Sequence, residues 1–323
     1  MSETCIAWRL EREDEPGLGG LRPQPIEPGG VRVRGAYAGV NYKDALAASR
    51  RARIVRRFPC TLGIEVAGTV AESDDPRFQV GDPVIVHGFG LGADRDGGFA
   101  QQVRAPADQV LRLPEGLSLL EAATVGVAGF TAALSIDAMQ LNGWRPDRGP
   151  VAVNGATGGV ASLAIDMLVG FGAEVHAISR QPDDGWLAAL GAAQVLTPPA
   201  VGDKPLERAC WSGAVDSLGG DALDALLRTM AQDGVIASFG NAAGNALSTS
   251  VLPFILRGVR LIGIFANSPM PLRERIWARI GTDLKPRHLT RIGTVVPMSE
   301  LPTAFEALLE GRHRGRFVAD LQR

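Results

Sequence analysis

Between Pro150 and Phe265, short apolar runs recur at a regular beat: Val151-Ala152-Val153, Glu174 to Ile178, Gln194 to Leu196, Ala214 to Asp216, Val235 to Ser238 and Val259 to Ile264. Stretches rich in Ala and Leu separate them, among them Ala161 to Val169, Gly185 to Leu190 and Asp221 to Met230. Near-continuous apolar strands alternating with helices predict a parallel sheet covered on both faces, and six strands complete a doubly wound dinucleotide-binding sheet. Residues 1–120 follow another rhythm. Val31-Arg32-Val33-Arg34 alternates, Gly68 to Ala71 is short, Val80 to Val86 carries a Gly-Asp-Pro turn, and Gly97-Gly98 leads into a further strand ending at Val103. Short strands punctuated by Gly and Pro predict a compact antiparallel β domain. The final stretch reads helix (Leu272 to Ile280), strand (Gly293 to Val296), helix (Leu301 to Leu309) and strand (Phe317 to Leu321), and is expected to return to the first domain.

Composition narrows the function classes. The chain has 323 residues, 46% of them hydrophobic, and its 33 basic and 35 acidic side chains leave a net charge of −2. That balance argues against a nucleic acid partner, which needs a concentrated positive field. No unbroken apolar run reaches the roughly 18 residues that would predict a membrane span. The N-terminal segment lacks the basic-then-apolar pattern of a signal peptide, so a cytoplasmic protein is expected. Three scattered cysteines (Cys5, Cys60, Cys210) suit neither a disulfide framework nor a four-cysteine zinc lobe. The 40 glycines are well above the average share of about 7% and call for specific addresses.

One address is Asn154-Gly155-Ala156-Thr157-Gly158-Gly159-Val160-Ala161, between the first strand of the alternation and its helix. A glycine turn opening a helix presents backbone N–H groups to a pyrophosphate with no side chain in the way. Gly155 permits the tight exit, Gly158 close backbone approach, and Ala161 close packing of helix on strand. The second strand ends at Ile178-Ser179-Arg180, where an NAD site usually carries an acid for the ribose hydroxyls. A hydroxyl followed by Arg suits a 2′-phosphate, so NADPH is the expected cofactor; Asp183 and Asp184 nearby pull the other way. An exposed strand-end arginine is the alternative reading. The four histidines (His87, His176, His288, His313) show no HxxxH or HExxH spacing, and no metal site is expected. His176 reads as a packed histidine in mid-strand. A redox cofactor with no evident Lewis acid or nucleophile fits hydride transfer to an already polarised acceptor.

Several motifs carry a family resemblance: Val40-Asn41-Tyr42-Lys43-Asp44-Ala45-Leu46, Gly63-Ile64-Glu65-Val66-Ala67-Gly68, Gly126-Val127-Ala128-Gly129-Phe130, Pro253-Phe254-Ile255-Leu256-Arg257 and Gly315-Arg316-Phe317-Val318. With the Gly-Ala-Thr-Gly-Gly-Val turn, the chain resembles the zinc-independent quinone oxidoreductase group of the medium-chain dehydrogenase/reductase superfamily. It is most similar to the NADPH-dependent acryloyl-CoA reductase-like branch. Zinc alcohol dehydrogenases carry Gly-His-Glu where this chain has Gly63-Ile64-Glu65, and isoleucine cannot ligate zinc.

The resemblance implies an α/β fold: a GroES-like β domain (1–122 and 266–323) plus a Rossmann doubly wound parallel six-stranded sheet (123–265), usually as a homodimer. It implies that Asn41, Tyr42 and Asp44 line the catalytic cleft, with Tyr42 as contact to cofactor or substrate. Thr157, Gly158, Gly159 and Val160 would hold the pyrophosphate, and Ser179 with Arg180 the adenosine phosphate. Phe239-Gly240 and Ile264-Phe265 would flank the nicotinamide, and Arg316 would close over the cofactor. For Asn41 and Asp44, a hydrogen-bonded turn is the alternative to direct participation. Related quinone reductases often carry a tyrosine where this chain has Leu46. The implied activity is hydride transfer from NADPH to the β-carbon of an activated alkene, an acryloyl- or enoyl-CoA-type thioester. NADPH:quinone reduction and a non-catalytic nucleotide-binding protein are the alternatives. Arg50, Arg51, Arg53, Arg56 and Arg57 would suit the phosphates of a CoA thioester, or form a solvated basic face.

Overall fold

The computed structural model describes residues 3–14, 16–180, 185–199 and 204–323. Asp183 and Asp184 lie outside them. The chain divides into two compact units: residues 1–128, 267–275 and 289–323, and residues 129–266 with 276–288.

In chain order the strands of the first unit begin β1 (Thr4–Leu10), β2 (Gly20–Pro25), β3 (Val31–Val40), β4 (Cys60–Thr61), β5 (Glu65–Ser73), β6 (Pro83–His87), β7 (Gln102–Ala105) and β8 (Val110–Arg112). The second unit contributes β9 (Val151–Asn154), β10 (Val175–Ile178), β11 (Gln194–Leu196), β12 (Trp211–Asp216), β13 (Met230–Ser238) and β14 (Arg260–Gly263). The chain then returns with β15 (Gly293–Pro297) and β16 (Arg316–Asp320).

The first unit is the GroES-like β domain. Its main sheet has the order β15-β16-β3-β5-β6-β8, with β7 also paired to β3, and a smaller sheet has the order β2-β1-β4. Val31 and Val33 alternate inward from β3 because successive strand residues face opposite sides. The helix Leu301–Leu309 buries Leu301, Ala304, Phe305 and Leu308, the spacing of one helical stripe. The Phe305 ring lies 6.1 Å from that of Phe99. Full burial of side chains such as these contributes about 1.5–3 kcal/mol each.

The second unit is the Rossmann unit. Its six strands run parallel in the order β11-β10-β9-β12-β13-β14, the doubly wound arrangement expected from the apolar beat. The strands β9 and β12 are buried along their whole length, which is why they read as continuous apolar runs. Residues 276–288, which the expected boundary assigned to the first domain, cluster with this unit instead. The buried Asp166 explains why. Its carboxylate accepts the backbone N–H groups of Arg287 and His288, both at 2.8 Å, and Arg279 pairs with Asp137 at 3.0 Å.

Two helices bear on the candidate site: α1 (Tyr42–Ala48) and α2 (Leu119–Leu141). Contrary to the expectation from unbroken apolar runs, α2 is long and apolar enough to cross a membrane by length and composition. Its polar residues are threonine, serine, glutamine and single acids, which interrupt a run without making a helix polar. However, 78% of its most apolar stretch is buried in the protein, as in a core helix. Gly126 also breaks it, at φ 46° and ψ −152°.

Candidate functional site

The expected site residues fall into two sets, one in each unit. In the first unit four of the recognised motifs converge on one carboxylate, that of Glu65 at the start of β5. It accepts hydrogen bonds from the Asn41 side-chain amide at 3.1 Å, from the Val127 backbone N–H and from the Arg316 guanidinium. Glu65 and Arg316 are 2% and 3% exposed, so the pair is sealed from solvent. The break in α2 belongs to the same arrangement. A side chain at Gly126 would overlap the Glu65 carboxylate, and its φ is one that only glycine adopts readily. Sequence reading located the Gly-Ile-Glu motif but gave Glu65 no role. The one local signal was an acid between apolar residues, Ile64 and Val66, at a strand start.

This corrects the expectation for Arg316. It does not lie free on the returning tail: it is buried, donating to Glu65 and to the Val125 carbonyl at 3.3 Å. The inward side of β16 takes it into the sheet interior, so it ties elements together within the first unit.

Asn41 and Asp44 are engaged in the same neighbourhood. Asp44, the third residue of α1, is fully buried and accepts the backbone N–H of Asn41 at 2.8 Å and of Ile64 at 3.2 Å. This is a helix cap that also fastens the Gly63-Ile64 turn. The turn reading, left open by sequence, is the one this geometry supports. Burial, reinforced by the nearby Glu65 charge, raises the Asp44 pKa to about 7 against the pull of its Asn41 hydrogen bonds. An acid whose pKa rises on folding binds more protons in the native state, so stability falls as pH increases from the unfolded value through 7. Thermal unfolding between pH 5 and pH 8 should show this loss, with a slope of about 1 kcal/mol per pH unit or less, and Asp44→Asn should flatten it. An unchanged profile in that variant would assign the dependence elsewhere. Tyr42, the first residue of α1, is 47% exposed and thus accessible to a ligand.

The five-arginine run does not form one patch. Arg50 donates to the carbonyls of Glu13, Gly17 and Ala48, at 3.0, 2.6 and 2.9 Å. Arg53 approaches Glu13 at 4.0 Å and Arg56 pairs with Asp94 at 3.2 Å. Arg51 is exposed, and Arg57 lines a cavity. The residues are adjacent in sequence, but the irregular chain from 49 to 59 points them in different directions.

In the second unit the glycine turn has the anticipated form. Gly155 has φ 59°, and the helix α3 (Gly159–Gly170) begins directly after Gly158. Thr157, Gly158, Gly159 and Val160 are all partly accessible, while Ala161 is buried against the sheet. The first N–H groups of a helix have no intrahelical acceptor, so this cradle fits a pyrophosphate. The turn is anchored by a network that sequence reading did not find. Asp216, at the end of β12, accepts from the Asn154 amide at 2.5 Å, from the N–H groups of Leu218 and Gly219 at 3.2 Å, and from the Ser238 hydroxyl at 2.7 Å. Asn154 in turn accepts the Ser217 N–H at 2.7 Å. The ends of β9, β12 and β13 are thereby tied at one edge of the sheet, the edge where doubly wound folds take ligands.

Phe239-Gly240 and Ile264-Phe265 follow β13 and β14 at the same edge, with Phe265 72% exposed. At the end of β10, Arg180 is exposed but Ser179 is only 6% exposed, its N–H donating to the Leu196 carbonyl at 2.9 Å. Of the expected pair, Arg180 is thus the accessible member. His176 is a packed residue: Trp211 donates to its Nδ1 at 3.1 Å and Glu174 meets its Nε2 at 3.0 Å. Among the described residues no group of three or more His, Cys, Asp and Glu side chains is placed to hold a metal ion. Burial pushes the Cys60 thiol up to about 12, so it is no nucleophile.

Residues 27–115 match the alcohol dehydrogenase GroES-like domain, and residues 159–280 match the zinc-binding dehydrogenase domain. The acrylyl-CoA reductase AcuI of Ruegeria pomeroyi is 39% identical over 91% of this chain and 90% of its own. YhfP of Bacillus subtilis, provisionally named a quinone oxidoreductase, is 43% identical over 93% of each chain. The chain belongs to the medium-chain dehydrogenase/reductase family, in the quinone oxidoreductase and acrylyl-CoA reductase group. Solved structures agree. Escherichia coli YhdH with bound NADPH superposes with a TM-score of 0.90 at 35% identity, covering 99% of this chain and 100% of that one. The Bacillus subtilis YhfP structure, with NAD bound, gives 0.94 at 39% identity with the same coverage. The protein is therefore an NAD(P)-dependent oxidoreductase of this family.

Proposed function

We propose that this family member is a cytoplasmic, zinc-independent NADPH-dependent reductase acting on an activated alkene, with an acryloyl-CoA-type thioester as substrate. The observation that carries the substrate class is the 39% identity to a named acrylyl-CoA reductase along nearly the whole chain. When bound, the cofactor supplies a hydride to the β-carbon, leaving an enolate to be protonated. The backbone N–H groups of Thr157 to Val160 receive the pyrophosphate, and the exposed Arg180 neutralises the 2′-phosphate. Phe239, Gly240, Ile264 and Phe265 flank the nicotinamide, and Tyr42 offers an accessible hydroxyl to cofactor or substrate. Asn41, Asp44 and Arg316 hold the first unit's strand and helix ends around Glu65, which makes them positioning residues.

A second reading, quinone reduction, is favoured by the 43% identity to YhfP, whose structure holds NAD. One assay panel separates the two: NADPH and NADH, each with acryloyl-CoA, crotonyl-CoA and benzoquinone, followed by loss of the reduced nicotinamide. NADPH oxidation with the thioesters above that with benzoquinone supports the proposal. The reverse order supports quinone reduction, and cofactor binding without turnover in every well supports a non-catalytic nucleotide-binding protein. Arg180→Ala is expected to weaken NADPH binding about tenfold or more and leave NADH binding nearly unchanged, as loss of a charge-assisted phosphate contact requires. Equal losses for both cofactors would remove Arg180 from the phosphate site. Tyr42→Phe with unchanged turnover and unchanged NADPH affinity would likewise remove Tyr42.

A homodimer formed by pairing β14 across a two-fold axis completes the proposal. β14 is an edge strand, and the adjacent helix Leu252–Arg257 exposes Ile255 and Leu256 at 67% and 63%. Light scattering at the mass of one chain would overturn it.

A further inference from the structure

The first unit carries a half-open cavity of about 470 Å³ that the proposed chemistry does not use. Such a volume suits a small organic ligand, whose pockets range over roughly 300–1,000 Å³. Four guanidinium groups line it: Arg32, Arg57, Arg95 and Arg104. The acids in and around its wall are already committed. Glu27 lies 3.5 Å from Arg104, and Arg32 is held by Glu3 at 2.9 Å and Glu72 at 3.1 Å. Asp96 accepts the Thr61 N–H at 2.8 Å and pairs with Arg9 at 3.4 Å.

Two cations are left over. Arg95, half-buried, meets only neutral acceptors: the Gln109 side chain at 2.7 Å and the Arg104 carbonyl at 3.5 Å. Arg57 is exposed at the cavity and makes no ion pair among the described residues. Burial pulls the Arg95 pKa below its ordinary value, with Asp108 acting weakly in the opposite direction. A partly desolvated cation without a counter-charge carries a penalty that a bound anion relieves. Guanidinium forks match the oxygens of a phosphoryl group, and its charge approaches −2 near neutral pH.

We propose that this cavity is an anion site, built around Arg57 and Arg95, for the phosphoryl group of a small ligand. Two sources share that chemistry: the nucleotide portion of a CoA thioester, which rests on the proposed function, and a free phosphorylated metabolite, which does not.

The test uses the full chain saturated with NADPH, so that the nucleotide cradle is already filled, and calorimetric titration with pyrophosphate. Wild type is expected to bind, more tightly at low salt. Arg57→Glu and Arg95→Gln should each weaken binding about tenfold or more, as loss of a charge-assisted contact implies. Arg57 is exposed, so its variant should keep the wild-type melting temperature and NADPH affinity, which separates a lost contact from a lost fold. Competition of coenzyme A with pyrophosphate would identify the substrate's own tail as the source. Binding of pyrophosphate undisturbed by coenzyme A would identify a separate metabolite. Absence of pyrophosphate binding, or equal binding by wild type and both variants, would overturn the site. Because the readout is binding, failure of the proposed reductase activity would leave this result standing.

Discussion

Glu65→Ala is expected to destabilise the first unit by about 3–5 kcal/mol, the cost of leaving a buried guanidinium without its counter-charge. Three donors converge on that carboxylate, from Arg316, Asn41 and the Val127 N–H, and all would lose their acceptor at once. Glu65→Gln preserves shape and one acceptor oxygen, so its loss should be smaller yet still dominated by Arg316. The discriminating variant is Glu65→Met with Arg316→Met. Replacing both members of a buried pair by apolar groups is often close to neutral, so the double variant should recover much of the stability lost by either single one. Denaturant unfolding of wild type, the two single methionine variants and the double variant measures this directly. Additive losses in the double variant would show that the two side chains contribute independently, and Glu65 and Arg316 would not be a coupled buried pair.

The second large effect is expected at Asp216, in the second unit. Asp216→Ala removes the acceptor for the Asn154 amide, the Ser238 hydroxyl and the Leu218 and Gly219 N–H groups. Buried donors left unsatisfied cost about 1–3 kcal/mol each, partly recovered where water enters. Stability should fall by about 2–4 kcal/mol. The more telling readout is NADPH affinity, which should drop at least tenfold at a temperature where the variant remains folded. Asn154 would no longer be held at the start of the glycine turn, and an anion cradle made of backbone groups depends on their fixed direction. Cofactor affinity equal to wild type in a folded Asp216→Ala protein would show that the turn holds its shape without the network.

Neither Glu65 nor Asp216 stands out in the local pattern, whereas the sheet around Asp216 does. The apolar beat from Val151 to Ile264 reports burial on both faces of a parallel sheet, a property of each strand separately, and all six strands were legible from it. The turn Asn154 to Ala161 was legible for a related reason: strand, glycine exit and helix start are consecutive. Arg316 was misread because its partner, Glu65, lies 251 residues away in sequence, and nothing in Gly-Arg-Phe-Val states which face of the strand looks inward. The arginine run left two readings open, phosphate contact or a solvated basic face, and Arg51, Arg53, Arg56 and Arg57 are indeed exposed. An irregular segment without a period sends Arg50 to backbone carbonyls, Arg56 to Asp94 and Arg57 to a cavity, which the order of residues alone does not state.

By itself, then, the sequence determined the two-part architecture, the strand succession of the Rossmann unit and the address of the glycine turn that opens its first helix, because these follow from periodicity and from contiguous residues. Only the tertiary structure decided which charges are buried together. Glu65 gathers three distant motifs onto its own, Asp216 ties three strand ends, and Arg57 and Arg95 come to line one cavity. Those pairings depend on strand register and on chain direction between elements, and electrostatics in a desolvated interior acts through distance in space rather than along the chain.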